Sequence, residues 1–283
     1  FELFAAVVIR GPIAPIFGNF DGEVPPADAY YWTQGNLFDG ERIQGIQGNS
    51  NLLAYTAMLG LVLFSVELAI VSVNRSLGIA SFLLAVGALL LAKSAGIGFA
   101  LVAITLATAV SLAAEGHDRA TRHRYYRIAW GLAAVGAFFV LAFRQTVFDL
   151  LGKSPDMTGR TGIWEKVLQL AVQQPLEGWG WISHWVPGVE PYEGLVVIDN
   201  VPYYQAHNAY LDMALQLGLT GLALFVGLLT ITFISLWQLA VRHTSVLYLW
   251  PILIFVGVLV QNLTESRMLI EIGWAILVLF AVK

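Results

Sequence analysis

Long apolar runs separated by short polar stretches recur along this chain. Hydrophobic residues make up 58% of it and charged residues 12%, which is more apolar than a water-soluble domain can be. Because about 20 apolar residues cross a bilayer as a helix, the sequence predicts an all-α fold, a polytopic transmembrane helix bundle forming a single domain over residues 1–283. The expected spans lie near residues 1–17, 52–73, 77–92, 97–113, 128–144, 209–238, 246–262 and 269–282.

The apolar stretch from residue 77 to residue 114 contains one charged side chain, that of Lys93. A lysine at the bilayer centre costs about 3 kcal/mol, whereas at a turn its ammonium group reaches the interface. We therefore expect a hairpin of two helices with Lys93 at its tip. The chain also opens on Phe1, inside an apolar run, which indicates that helices of a longer protein precede it.

Basic residues concentrate between two of the expected spans, in residues 117–127. The arginines of this loop are Arg119, Arg122, Arg124 and Arg127. Short loops rich in lysine and arginine stay cytoplasmic. This orientation places the Lys93 tip and the long loop 145–207 on the outer face of the membrane.

Apolar residues of the outer loop recur at helical spacing, at Ile163, Val167, Leu170 and Ala171. With Thr158 as N-cap, this spacing predicts an amphipathic helix over residues 160–174 that lies on the membrane surface. After it, Pro175 and the pair Gly178 and Gly180 predict a chain that folds back over the bilayer.

Two motifs stand on this outer face. Residues 158–164 read TGRTGIW, and residues 203–222 read YYQAHNAYLDMALQLGLTGL. Between them, Pro175-Leu176 is followed by Gly178 and Gly180. Together these motifs resemble the O-antigen ligase and polymerase family, bacterial membrane enzymes that transfer sugar chains from a lipid diphosphate carrier. The resemblance implies a membrane glycosyltransferase whose site lies in the outer loop.

Arg160 has the chemistry expected of a residue that binds the donor diphosphate. Its planar guanidinium group can pair with two phosphate oxygens. A helix start adds free backbone N–H groups and the positive end of the helix dipole. Such an arginine is, by itself, more often an interfacial residue that reaches toward lipid headgroups. The resemblance favours donor binding.

His207 lies just before the span that begins near Tyr210. A histidine can take a proton from an acceptor hydroxyl as its oxygen attacks the anomeric carbon of the donor. A lone histidine here more often caps a helix. The resemblance implies that His207 is the catalytic base or an essential acceptor-binding group, with Asn208 beside it. Trp164 and Tyr204 are expected either to stack on sugars or to anchor the loop at the interface.

A second cation is expected near the donor, because two phosphates carry more charge than one arginine can match. The family places an arginine at an earlier outer tip, where this sequence has Lys93. A lysine lacks the planar fork, so either Lys93 substitutes for that arginine or Arg42 or Arg144 serves instead. Glu265 and Arg267 could reach the same cavity, but pairing with each other is the simpler account.

The sequence has no cysteine, no HExxH helix, no Walker-type loop and no Rossmann glycine pattern. We therefore expect no metal, no cofactor and no nucleic-acid partner. The expected partners are a polyprenyl (undecaprenyl) diphosphate-linked glycan donor, a glycan or glycolipid acceptor and membrane lipids. Two alternatives stay open: a polymerase that extends the lipid-linked chain, and a transporter of lipid-linked sugars, which would carry polar or interrupted helices near the bilayer midplane.

Overall fold

A computed structural model describes residues 1–13, 31–70, 74–143, 146, 159–198, 201–243 and 245–282. Helices dominate these residues, which confirms the all-α membrane fold. The chain divides into two compact units, residues 1–101 and residues 102–283. The expectation of a single transmembrane domain over the whole chain stays a prediction.

The helical elements of the first unit include α1 (Glu2–Phe4), a π-helical continuation (Ala5–Ile9), 3-10 turns (Asn36–Phe38 and Gly45–Gln47), α2 (Ser50–Ile70), α3 (Arg75–Ala92) and the start of α4 (Ala95–Ala114). The expected span over residues 1–17 is helical only as far as Ile9, because Arg10 adopts a left-handed conformation with φ of 57°. The prediction of one continuous span is therefore wrong, because residues 10–13 are not helical. Residues 14–17 lie outside the described ranges.

The boundaries of α2 and α3 follow from their capping residues. The Asn49 side chain accepts hydrogen bonds from the backbone N–H groups of Asn51 (2.8 Å) and Leu52 (3.0 Å), which satisfies donors at the start of α2. Asn74 caps α3 in the same way. Lys93 follows α3 with a left-handed φ of 46°, and α4 begins two residues later, so the predicted turn at Lys93 is confirmed.

The described elements of the second unit include α5 (Arg119–Ala142), α6 (Arg160–Ala171), β1 (Val196–Ile198), β2 (Val201–Tyr203), α7 (Ala209–Arg242), a 3-10 turn before α8 (Val246–Tyr248), α8 (Trp250–Gln261), a 3-10 turn after it (Arg267–Leu269) and α9 (Glu271–Ala281). The basic residues expected in a loop at 117–127 lie mostly inside α5. Asp118 caps this helix by accepting from the N–H groups of Ala120 and Thr121. Arginine is a good helix former, so the helix begins before the apolar run.

Four helices among the described residues, α2, α3, α4 and α7, are long and apolar enough to cross a membrane. The other expected spans correspond to shorter or more polar helices. Helices α8 and α9 contain 12 and 11 residues, and the first turns of α5 carry its arginines. The chain is a helical membrane protein.

Helix α7 is interrupted at Gly218, whose φ of 65° and ψ of −169° are not helical. The turn and loop residues 175–180 lie in this break. The N–H groups of Trp179 and Gly180 donate to the carbonyls of Leu215 (3.0 Å) and Gln216 (2.9 Å). Beyond the break, the N–H groups of Leu219 and Thr220 donate to the carbonyls of Pro175 (2.8 Å) and Leu176 (3.3 Å). The segment thus replaces the helical hydrogen bonds that the break removes.

Glycine is required on both sides of this crossing. A Cβ atom at Gly218 would lie 2.3 Å from the carbonyl carbon and oxygen of Leu176. A Cβ atom at Gly178 would lie 2.5 Å from the Gly218 nitrogen. Both residues also have positive φ angles, which residues other than glycine adopt only at a cost in free energy. The Pro-Leu-x-Gly-x-Gly motif therefore supports the fold by crossing α7.

The apolar face of α6 packs against protein. Ile163 and Val167 are fully buried in a cluster that also includes Trp185, Tyr192, Val196, Ala206 and Leu215. Tyr203 of the antiparallel hairpin β1–β2, where it pairs with Val196, packs at the edge of this cluster. The prediction that α6 lies with this face on the membrane surface is therefore wrong, because residues between 185 and 206 and Leu215 of α7 cover it.

We predict that Gly218→Ala and Gly178→Ala each destabilise the protein by about 3 kcal/mol, because a Cβ atom would collide with backbone and a positive φ would be strained. Gly227→Ala is the matched control: it lies in the same helix with nothing within 4 Å of the added Cβ. Thermal unfolding of the detergent-solubilised proteins measures the difference. Equal melting temperatures for Gly218→Ala and Gly227→Ala would contradict the prediction.

Candidate functional site

Arg160 is the first residue of α6 and follows Gly159, which has a left-handed φ of 82°. The helix has no side-chain cap at Gly159, and Thr158, the predicted N-cap, lies outside the described residues. The guanidinium Nη2 of Arg160 lies 2.8 Å from Oε1 of Glu265, and the Arg160 side chain is 16% exposed. The start of α6 is thereby joined to the turn between α8 and α9.

His207 lies in the turn just before α7 and has a left-handed φ of 49°. Its Nδ1 atom lies 2.8 Å from Oε2 of Glu265, and its side chain is 22% exposed. The ring of Tyr203 packs edge-on against the imidazole at 5.8 Å. Arg160 and His207, which the sequence places in separate motifs, therefore contact the same carboxylate.

The backbone around His207 is held by the buried carboxylate of Asp212. The N–H group of Ala206 donates to both Asp212 oxygens at 3.1 Å, and the hydroxyl of Ser266 donates to Oδ2 of the same side chain. Asp212 is fully buried. The turn that carries His207 is thus tied both to α7 and to the segment that carries Glu265.

Glu265 is the centre of this cluster, and its side chain is 2% exposed. Burial raises the pKa of the Glu265 carboxyl, but the hydrogen bond and charge of His207 and the charges of Arg267 and Arg160 lower it to about 2, from the ordinary 4.5. The carboxylate is therefore ionised at neutral pH and can only accept hydrogen bonds. It follows that Nδ1 of His207 carries the proton of this hydrogen bond, so Nε2 is the nitrogen that bears the lone pair whenever the imidazole is neutral.

The turn after α8 is fixed to the start of α7 by backbone contacts. The N–H group of Ala209 donates to the carbonyl of Asn262 (3.0 Å), and Nδ2 of Asn208 donates to the carbonyl of Leu263 (3.2 Å). The N–H group of Met268 donates to Oδ1 of Asn262 (3.1 Å). These bonds hold Glu265 opposite His207.

Three other sequence-predicted residues lie close to this cluster along the chain. Asn208 is the N-cap of α7, because its Oδ1 accepts hydrogen bonds from the N–H groups of Tyr210 (3.0 Å) and Leu211 (3.2 Å). The indole Nε1 of Trp164 donates to the carbonyl of Ala206 at 3.0 Å, so it buttresses the His207 turn. Tyr204 is 44% exposed. Tyr204 is more exposed than Trp164, so its ring is the one that a ligand can reach more easily.

Arg42 and Lys93 lie together in the first unit. Arg42 donates through Nε to the Ala92 carbonyl (3.0 Å) and through Nη2 to Oδ1 of Asn51 (2.7 Å). Lys93 donates to the carbonyl of Gly40 (2.5 Å). Both cations therefore surround the end of α3. A clamp made jointly with Arg160 stays a prediction, and Arg144 lies outside the described residues.

Sequence reasoning underestimated Glu265, which it paired with Arg267 alone. Nη2 of Arg267 lies 3.8 Å from Oε2 of Glu265, farther than Arg160 or His207 lies from that carboxylate. The available signal was the position of Glu265 in a short polar turn between two apolar runs. Within the described ranges, His, Asp and Glu side chains form no group of three that could hold a metal ion.

A helical membrane protein with a histidine–carboxylate–arginine cluster is the class that this fold and site define. The family model for O-antigen ligase matches residues 52–226, more than half of the chain. The chain belongs to the O-antigen ligase family, as its motifs predict, and thus to the membrane proteins of polysaccharide biosynthesis. The matched region includes Arg160 and His207, whereas Glu265 and Arg267 lie beyond its end.

The chain is also similar to the exopolysaccharide production protein ExoQ of Rhizobium meliloti (strain 1021). The two are 29% identical over 106 residues, which is 36% of this chain and 24% of ExoQ. The similarity therefore spans about a quarter of the length of that relative.

We predict that Glu265→Gln lowers the stability of the folded protein at neutral pH by about 3 kcal/mol, because it removes a buried carboxylate shared by cationic partners. The folded-state pKa of Glu265 lies below its ordinary value, about 2 against 4.5. Its contribution is therefore complete above pH 4.5 and is lost as the pH falls toward 2.

Melting temperatures of the wild type and Glu265→Gln, measured across this pH range, should converge as the pH falls. Glu193→Gln, at an exposed glutamate between α6 and β1, is the control and should follow the wild type throughout. A difference between wild type and Glu265→Gln that is constant with pH would contradict the assignment.

Proposed function

We propose that this protein is a membrane glycosyltransferase that moves a glycan from a polyprenyl diphosphate carrier to an acceptor hydroxyl, on the outer face of a bacterial plasma membrane. The acceptor oxygen forms a bond to the anomeric carbon, and the bond from that carbon to the phosphate oxygen breaks. The electron pair of the broken bond leaves with the diphosphate. The proton of the acceptor hydroxyl goes to Nε2 of His207.

The observation that carries this proposal is the carboxylate shared by His207 and Arg160. Both contacts measure 2.8 Å. A base for the acceptor and a cation for the diphosphate are thereby held side by side, as transfer between the two substrates requires. Both side chains are partly exposed, at 22% and 16%, so substrates can reach them.

Glu265 acts as a positioning residue for the base. Its bond to Nδ1 sets the tautomer that leaves Nε2 able to accept a proton, and its charge stabilises the imidazolium that forms. The buried position of the carboxylate strengthens this effect, because water does not screen it.

Arg160 binds the leaving diphosphate in this scheme. Its planar guanidinium group offers paired donors, which suit phosphate oxygens. The scheme uses the positive charge of Arg160 on the leaving group and no metal ion.

A polymerase that extends the lipid-linked chain is the second candidate. The relative ExoQ is described as an exopolysaccharide production protein, and polymer production requires chain extension. One assay separates the candidates: a polymerase lengthens the carrier-bound glycan with no other acceptor present, whereas a ligase transfers it only to an added acceptor. A transporter of lipid-linked sugars would form no new glycosidic bond in either case.

We predict that His207→Ala lowers the transfer rate by about 100-fold or more, because loss of a general base costs roughly that much. Purified protein is incubated with lipid-linked donor and acceptor, and product is measured over time. His184→Ala, an exposed histidine of the same loop, is the matched control and should retain wild-type activity. A His207→Ala protein that keeps a tenth of the wild-type rate would remove His207 from the role of base.

We also predict that Arg160→Lys raises the donor KM by about tenfold or more, since lysine cannot reproduce the paired hydrogen bonds to phosphate. Lys93→Arg should be tolerated, because arginine supplies the same charge with more donors. The donor KM of each purified variant is the measurement, with Arg124→Lys in α5 as the control. An Arg160→Lys protein with an unchanged donor KM would show that Arg160 does not bind the diphosphate.

A further inference from the structure

The cluster around Glu265 has an open layer and a buried layer. The side chains of Arg160 and His207 are 16% and 22% exposed, whereas those of Glu265 and Arg267 are 2% and 9% exposed. Substrates can therefore approach the first pair but not the second. The mechanism proposed above uses Arg160, His207 and Glu265, and it leaves Arg267 without a role.

The contact between Arg160 and Glu265 competes with donor binding. In the structure, Nη2 of Arg160 is 2.8 Å from Oε1 of Glu265. Phosphate oxygens and carboxylate oxygens are recognised by the same guanidinium edge. When Arg160 turns toward a diphosphate, Glu265 loses a close partner while remaining buried, and a buried charge that loses its partner is strongly destabilised.

Arg267 is placed to offset that loss. Its Nη2 atom lies 3.8 Å from Oε2 of Glu265, beyond hydrogen-bond length but within the range of an ion pair. Arg267 belongs to the 3-10 turn that begins two residues after Glu265, so a small movement of the side chain closes the distance. Its charge also lowers the pKa of the Glu265 carboxyl together with those of His207 and Arg160.

We infer that Arg267 is a positioning residue for donor binding: it keeps the Glu265 carboxylate compensated when Arg160 leaves it for the donor diphosphate. This inference rests on the proposed function. In this inference, the Glu265 carboxylate pairs with Arg160 before the donor binds and with Arg267 afterwards. His207 stays hydrogen-bonded to Glu265 in both states. Arg267 does not touch the donor.

A double-mutant cycle between Arg267 and Glu265 tests the exchange. The probe is undecaprenyl diphosphate, and its dissociation constant is measured for full-length protein in lipid nanodiscs. Arg267→Gln should weaken probe binding by about tenfold, since Arg160 then leaves a poorly compensated carboxylate. In the Glu265→Gln background the same substitution should weaken binding by less than about twofold, because no buried carboxylate remains to be compensated.

Two further variants distinguish this role from a general structural one. Arg267→Lys preserves the charge and should bind the probe within about threefold of the wild type. Arg242→Gln makes the same substitution as Arg267→Gln at the exposed far end of α7 and should bind as the wild type does. In transfer assays, Arg267→Gln should raise the donor KM more than it lowers kcat.

Equal losses from Arg267→Gln in both backgrounds would overturn the inference, because they would show that Arg267 acts without Glu265. If Arg267→Gln does not fold, the comparison of Glu265→Gln with the double variant decides: tenfold weaker binding by the double variant would again overturn it. A wild-type protein that neither binds the probe nor forms product would remove the proposed function, and the inference with it. Wild-type binding with equal losses removes the inference alone.

Discussion

One buried negative charge, that of Glu265, organises the cluster of segments around the start of α7. An ionised carboxylate that is 2% exposed is stable only if cations or hydrogen-bond donors surround it. Those groups come from separate parts of the chain: the start of α6, the turn before α7 and the 3-10 turn after α8. Because all must reach the same two oxygens, the positions of Arg160, His207 and Arg267 are set together.

The break in α7 allows these segments to meet. Residues 175–180 follow α6 and replace the missing hydrogen bonds at Gly218, so the crossing fixes α6 against α7. The side chain of Gln216, at the break, accepts from the N–H groups of Ile182 (2.9 Å) and Ser183 (3.0 Å). The glycines of the Pro-Leu-x-Gly-x-Gly motif therefore serve the fold by letting this crossing form.

Local patterns predicted much of the fold and half of the site. The apolar runs gave α2, α3, α4 and α7, because span length is a property of consecutive residues. Arg160 and His207 lie in recognisable motifs. Their link through Glu265 joins residues 105 and 58 positions apart, and such contacts depend on tertiary packing. The same reason explains the error about α6: spacing reveals an apolar face but not whether lipid or protein covers it.

Two acidic residues position His207: Asp212 holds its backbone and Glu265 holds its ring. Asp212 accepts the N–H group of Ala206 and holds the turn in which His207 adopts a left-handed φ of 49°, a conformation that needs support from its surroundings. Glu265 then fixes the ring. In the proposed transfer, His207 gains a positive charge beside the positive end of the α7 dipole. The buried Glu265 carboxylate that faces its ring supplies the counter-charge.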